Sequence, residues 1–291
     1  MHFVEAKGIL SAKNGMNIYR GCTHGCIYCD SRSACYQFTH AFEDIEVKQN
    51  APELLDKALR SKRKKCMIGT GAMSDPYMHC EKELGLTRRC LEIIRDRGFG
   101  VAVQTKSDLV LRDLDLFKEI NRKAKAVVQM TLTTYDDDLC GIIEPNVCNT
   151  KRRLEVLNIL KEEGIPSMVW LSPLLPFIND NEENIRAILD GCVRAGVKGI
   201  LLFDIGVTLR DGDREYFYKA LDKHFPGMKE RYIKTYGNSY EVVSPDRNRL
   251  MKIFREICSQ NGLIYDPHEC FSYLYEFPDK DPQINMFDLL S

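Results

Sequence analysis

The sequence predicts an α/β fold, a partial (β/α)6 barrel of the TIM type followed by a small, mainly helical C-terminal extension. Short apolar runs rich in β-branched residues alternate with longer amphipathic segments, and no hairpin signal separates successive runs. Six such βα units in a row call for a parallel sheet with right-handed crossovers, which curls into an open barrel. The rhythm stops after Asp204. A boundary near residue 210 then divides a barrel core, residues 1–210, from an extension, residues 211–291, that packs on it.

Taken in order, the strands fall at 16–19, 66–70, 101–105, 127–132, 167–171 and 199–203, each too short for a helix and bounded by turn residues. A helix over 53–62 opens behind Pro52, whose missing N–H costs nothing in a first turn. Thr87 is expected to cap a helix over 88–97 that Gly98 ends, and Thr150 one over 151–163 that Gly164 ends. In the second of these Leu154, Val156, Leu157, Ile159 and Leu160 make a wide apolar stripe. Segments 113–122 and 182–195 complete the barrel helices. In the extension, 211–225 and 245–260 read as helices, the latter between Ser244 as cap and Gly262 as stop. The last thirty residues read as irregular.

With 44% hydrophobic and 29% charged residues, the chain has an ordinary globular composition, which excludes a disordered tail or a fibre. Lysine and arginine number 41 against 42 aspartates and glutamates, a net charge of −1. That balance gives no global case for binding nucleic acid or an anionic membrane, so nucleic acid stays open as a partner but is not favoured. The basic run 61–65 sits at a helix C-terminus, where cations suit the dipole. No stretch approaches the roughly 18 apolar residues of a spanning helix, and the N-terminal segment lacks a signal-peptide core. A cytoplasmic protein without a membrane partner is expected.

Twelve cysteines are the unusual count, and Cys22, Cys26 and Cys29 fall within eight residues on a glycine-containing loop after the first strand. In a chain of cytosolic character, clustered thiols point to metal or reactive sulfur before disulfides. Sulfurs at this spacing can turn toward one point. Zinc wants four ligands, usually as two pairs; His24 is at hand as a fourth, but its neighbours give no second pair. An iron–sulfur cluster is held by thiolates, usually four, and three would leave one iron open to an exogenous ligand. Spacing alone leaves both readings standing, with the cluster ahead. Cys35, Cys140, Cys148, Cys258 and Cys270 show no compact pattern and read as buried, inert thiols.

Cys22-x3-Cys26-x2-Cys29, with the aromatic Tyr28 just before the last cysteine, resembles the cluster motif of the radical S-adenosylmethionine superfamily. Segments 69–77, 86–88, 105–107, 111–113, 144–145, 173–176 and 179–180 resemble the branch of that superfamily related to spore photoproduct lyase. The resemblance implies a [4Fe–4S] cluster on Cys22, Cys26 and Cys29, its fourth iron chelated by the amino and carboxylate groups of S-adenosyl-L-methionine. It implies reductive cleavage of that molecule to methionine and a 5′-deoxyadenosyl radical, which abstracts hydrogen from a substrate. A reductant such as flavodoxin or ferredoxin would supply the electron. Tyr28 would pack near the adenine, Lys106 pair with the carboxylate, and Thr131 and Ser172 donate hydrogen bonds. Gly71, with Gly69, would let the backbone approach the charged ligand.

The barrel reading agrees on its own terms. The cysteine loop, Gly71, Lys106, Thr131, Ser172 and Asp204 all fall at the C-terminal ends of strands, the rim on which barrel enzymes build their sites. His79 and Glu81 are candidates for acid–base work against a bland surface loop. Glu144 could face the cofactor or cap a helix, and Asp204 could bind a ribose or cap its own loop.

Spore photoproduct lyases carry a cysteine in the loop after the second strand and a tyrosine directly after the third cluster cysteine, and this pair returns hydrogen to the repaired thymine. The matching positions here hold Ala72 and Asp30, neither of which can pass on a hydrogen atom. The expected function is therefore a radical S-adenosylmethionine enzyme, lyase or transferase-like, acting on an unidentified substrate. The alternatives are a DNA-lesion lyase and a non-catalytic protein that senses iron or redox state.

Overall fold

Period-two alternation sorts the strands of this protein into an outward and an inward face. The computed structural model describes residues 1–278. Its central sheet has six parallel strands in chain order: β1 (Gly15–Met16), β2 (Met67–Thr70), β3 (Gly100–Thr105), β4 (Ala126–Leu132), β5 (Ser167–Leu171) and β6 (Gly199–Leu201). Helices Ala51–Ser61, Leu86–Asp96, Leu114–Lys123, Thr150–Glu162 and Glu182–Ala195 fill the crossovers. This is the expected partial (β/α)6 barrel.

On the outward face Ile68, Val101, Val103, Val128, Met130, Val169 and Ile200 join the helices in the main apolar core. On the inward face Met67, Ala102, Val127, Met168 and Leu201 form a floor of apolar side chains. Two residues further along the same strands stand Gly69, Gln104, Gln129 and Trp170. Here Trp170 donates its indole N–H to Gln129 Oε1 at 2.7 Å, so the polar groups of the lumen satisfy each other. Two residues further again come Gly71, Lys106, Thr131 and Ser172. Strand parity alone therefore puts all four at the inner rim.

The lumen floor is closed by a helix, Pro267–Tyr275, whose Cys270 and Leu274 pack on that inward layer. This corrects the expectation of an irregular C-terminus. Asp266 accepts hydrogen bonds from the N–H groups of His268 and Glu269 at 2.9 and 3.1 Å, and Pro267 occupies the first turn. Residues 279–291, the remainder of that stretch, lie outside the described residues.

Other differences are local. The chain does not run 16–19 as one strand: Gly15–Met16 pairs with β2, whereas Tyr19–Arg20 turns away to pair with Glu46–Lys48 in a second sheet completed by His2–Val4. Thr87 lies inside its helix, with Oγ1 donating to the carbonyl of Pro76 at 2.6 Å, and does not cap it. Asn149, not Thr150, accepts from Arg152 N–H and caps the next helix. Segment 113–122 begins as a 3-10 turn, Asp108–Asp113, before its helix. Ser244 sits one turn too early to be the cap of Arg247–Gln260; its Oγ accepts from Asp246 N–H at 3.1 Å.

Beyond β6, strands Gly206–Thr208 and Glu241–Val243 pair antiparallel, and the helices Asp213–His224 and Met228–Tyr236 lie between them. Phe217, Leu221 and Tyr232 of these helices pack on Ile27, Ile143 and Leu175, over the loop that carries the cysteines.

Candidate functional site

The cysteine loop is held by its backbone before any ligand is considered. Cys22 N–H donates to Phe42 O at 3.2 Å, Ile27 N–H to Ile143 O at 3.0 Å, and Cys29 N–H to Cys26 O at 3.3 Å. The three thiols line one small cavity together with Tyr28, Gly71, Lys106 and Thr131. Ser172 stands in the adjoining cavity, of ≈ 580 Å³, which shares Tyr28, Cys29, Ala72 and Gln104 with the first. The expected site residues thus converge on one mouth at the C-terminal ends of the strands.

The cavity offers three thiols, with His24 beside them, as possible donors. Thiolates on one tetrahedral zinc, at about 2.3 Å from the metal, stand about 3.8 Å apart. Among the described residues, no trio drawn from Cys22, Cys26, Cys29 and His24 brings its donor atoms within 4.8 Å of one another. Burial pushes the Cys22 thiol up to about 12 and raises Cys26 as well, so a bound cation is what would hold them as thiolates.

Behind the loop lies a buried charge relay. The Tyr28 hydroxyl donates to Glu144 Oε1, and Glu144 Oε2 accepts from Arg153 Nη1 at 2.6 Å, with both charged side chains fully buried. Burial opposes the Glu144 carboxylate, but Arg153 and Lys106 hold its pKa below the ordinary value. Burial and that anion push the Tyr28 phenol well up, so it stays a donor. Arg153 also donates to Thr131 O at 3.1 Å, tying the relay to the rim of β4. Glu144 thus supports Tyr28 through its carboxylate, while its backbone closes the helix Asp137–Ile143 as C-cap, its N–H donating to Cys140 O at 2.8 Å. Arg153 was not foreseen; a lone arginine on an amphipathic helix carries no signal.

Lys106 is positioned by Asp75. Asp75 accepts from Tyr77 N–H at 2.8 Å, Thr105 Oγ1 at 2.7 Å and Lys106 N–H at 2.8 Å, which clamps the loop after β2 to the end of β3. Burial works against the Lys106 ammonium, yet Cys26, Glu144 and Asp75 around it raise its pKa, and it stays charged. Its Nζ lies 5.9 Å from the centroid of the Tyr28 ring. His24 Nδ1 is 3.6 Å from Asp75, but burial, with Lys106 adding to it, outweighs that carboxylate and lowers the imidazole pKa.

Two rim residues carry sharper evidence. The Oγ1 of Thr131 is buried with no hydrogen-bond partner in the protein, an arrangement that a ligand in the cavity would resolve. Gly71 has φ +102°, and a Cβ there would lie 1.9 Å from Gln104 O. The packing of the chain against β3 thus demands a glycine here, and the same residue lines the cysteine cavity.

Of the remaining candidates, Glu81 and His79 lie outside that mouth. Glu81 is fully buried, accepting from the Tyr19 hydroxyl, from Thr87 N–H at 3.0 Å and from Arg112 Nη2 at 2.8 Å, and so has no acid–base access. His79 is exposed on a separate cavity lined also by His24 and Lys82. Asp204 caps its own loop, accepting from Ile205 N–H at 2.8 Å and from Arg247 Nε at 2.5 Å, and it also lines the cavity that holds Ser172. Cys140, Cys258 and Cys270 are buried as expected, but Cys35 is exposed, its Sγ 3.3 Å from Arg210 Nη1.

Residues 16–190 match the sequence model of the Radical SAM superfamily. The chain belongs to that superfamily. It is 35% identical over 239 residues to an uncharacterized protein of Methanocaldococcus jannaschii, covering 81% of each chain. It is 28% identical over 277 residues to an uncharacterized protein of Acidianus two-tailed virus, covering 90% of this chain and 85% of that one. Its fold is similar to that of spore photoproduct lyase complexed with dinucleoside spore photoproduct, with a TM-score of 0.64 and 15% identity over 89% of this chain and 78% of that one. Radical SAM proteins are built on a [4Fe–4S] cluster and S-adenosylmethionine.

Proposed function

We propose that Cys22, Cys26 and Cys29 hold a [4Fe–4S] cluster and that the protein cleaves S-adenosyl-L-methionine reductively to start radical chemistry on a substrate in the ≈ 580 Å³ cavity. What supports this most is one convergence: three thiols, the Lys106 cation and the orphaned Thr131 hydroxyl share a single cavity. Bound there, the cluster and S-adenosylmethionine supply a low-potential electron and a carbon-centred radical.

The chain's own residues bind, orient and enclose. Lys106, kept charged by Glu144 and Asp75, is the counter-charge for a carboxylate. Thr131 Oγ1 gains the partner it lacks, and Ser172 offers a second hydroxyl from the adjoining cavity. Tyr28, pinned through its hydroxyl by Glu144, presents a fixed ring for an adenine. The helices at 213–224 and 228–236 cover the loop from outside and limit its contact with water. On this reading the part of the chain before residue 210 carries the chemistry, the part after it covers and plugs the barrel, and a flavodoxin- or ferredoxin-like protein delivers the electron.

Thymine-lesion repair is not the favoured reaction. Ala72 and Asp30 both line the larger cavity, and neither offers a thiol or phenol to return a hydrogen atom. Anaerobic reconstitution with iron and sulfide, followed by dithionite and S-adenosylmethionine, is expected to give 5′-deoxyadenosine and methionine, and Cys26→Ala none. No 5′-deoxyadenosine from the reconstituted protein, with zinc as the metal recovered on anaerobic purification, would replace this reading with a non-catalytic metal-binding protein. Repair of a lesion-bearing oligonucleotide would overturn the argument from Ala72 and Asp30.

A further inference from the structure

We propose a second metal site, separate from the cysteine cavity, in which His2, His40 and Asp44 bind one divalent transition ion, zinc in the first instance. One ring nitrogen of each histidine and a carboxylate oxygen of Asp44 lie within 4.8 Å of one another, and this is the one such grouping of three metal-ligating side chains among the described residues. Two imidazoles and one carboxylate, with a position left for water, form a donor set that suits zinc and its neighbours.

The state of His40 points to a ligand. Its Nδ1 lies 2.9 Å from Ala41 O, so that nitrogen is engaged by the backbone and Nε2 is the one left to meet a ligand. The Nε2 is buried with no hydrogen-bond partner, and Glu46 Oε2 stands 3.9 Å away, beyond hydrogen-bond reach. A buried ring nitrogen without a partner is an unfavourable arrangement that a bound cation relieves. A histidine whose other nitrogen is engaged by a backbone carbonyl is also the usual form of a metal-ligating imidazole. The ring is fixed further by edge contacts with His2 and Phe38, at centroid distances of 4.8 and 5.5 Å.

The other two ligands are brought in by the second sheet. Strand His2–Val4 pairs with Glu46–Lys48, and His2 N–H donates to Ile45 O at 2.9 Å, which sets His2 beside Asp44. His2 Nδ1 lies 3.0 Å from Asp44 Oδ2, and the Met1 amine 2.5 Å from Asp44 Oδ1. The same loop backs the cysteine motif, since Phe42 O accepts from Cys22 N–H and a Cβ on Gly21, at φ +91°, would lie 2.4 Å from that oxygen. An ion here would staple the first strand to the loop that supports Cys22.

Cobalt(II) uptake tests this, because thiolate and nitrogen–oxygen sites differ in absorption. The full chain carrying Cys22→Ser, Cys26→Ser and Cys29→Ser is expected to bind one cobalt with ligand-field bands and no sulfur-to-cobalt charge transfer, and zinc is expected to displace it. Adding His40→Ala, or in a second variant Asp44→Asn, is expected to weaken binding by about tenfold or more, with the circular dichroism of the parent retained. No cobalt bound by the triple-serine chain, or parent-like affinity in both added variants, would overturn the proposal.

Discussion

Thr131 and Glu144 show how differently two buried polar side chains behave in one site. Replacing Thr131 by valine removes a hydroxyl that has no partner, so folding stability is expected to stay within about 1 kcal/mol of the parent. Affinity for S-adenosylmethionine, read by calorimetry on reconstituted protein, is expected to fall roughly two- to tenfold, the worth of one hydrogen bond. Glu144→Gln instead leaves Arg153 buried without its carboxylate and is expected to lower stability by about 3–5 kcal/mol in denaturant titration. Asp204→Asn breaks an ion pair with Arg247, which is half-exposed, and should cost no more than about 1 kcal/mol. Asp213 gives a pH signature. Burial raises its pKa from 3.8 to about 6, so the folded state binds the proton more tightly than the unfolded chain. Its contribution therefore weakens stability as pH rises from about 4 to about 6. Subtracting the Asp213→Asn pH profile from that of the parent should show that slope. At this scale the cluster cysteines and Lys106 were legible because spacing and strand ends mark them. Arg153 and the burial of Glu81 were not, since a lone arginine on an amphipathic helix carries no signal and the Glu81–Arg112 pairing, across 31 residues, leaves no local trace.

The barrel strands were legible as elements because alternation and turn residues repeat six times, and the parity of β4 already places Thr131 on the inward face. Helix ends were read less well. Thr87 and Thr150 look like caps in sequence, but their hydroxyls serve the carbonyls of Pro76 and Thr134, contacts decided by tertiary packing. The C-terminal helix was missed although Asp266-Pro267 is a start signal, because its apolar residues face a lumen that a chain-local reading does not contain. Leu274→Ala opens a void in that floor and is expected to cost about 2–5 kcal/mol, measured by chemical denaturation.

For the molecule as a whole, three layers serve one mouth: the plugged floor, the rim of strand ends, and the helices that cover the cysteine loop. No helix among the described residues is long and apolar enough to cross a membrane. The net charge of −1 supplies no broad field for a polyanion, and the wall of the larger cavity instead presents Trp170 and Phe203, with ring centroids 6.0 Å apart. The most direct test of the whole account is electron paramagnetic resonance of the anaerobically reconstituted, dithionite-reduced protein, with iron and sulfide counted on the same sample. The account predicts about four of each per chain, a [4Fe–4S]+ signal that changes when S-adenosylmethionine is added, and loss of that signal in Cys22→Ala but not in Cys35→Ser. A cluster signal indifferent to S-adenosylmethionine, or one that survives the loss of Cys22, would contradict it.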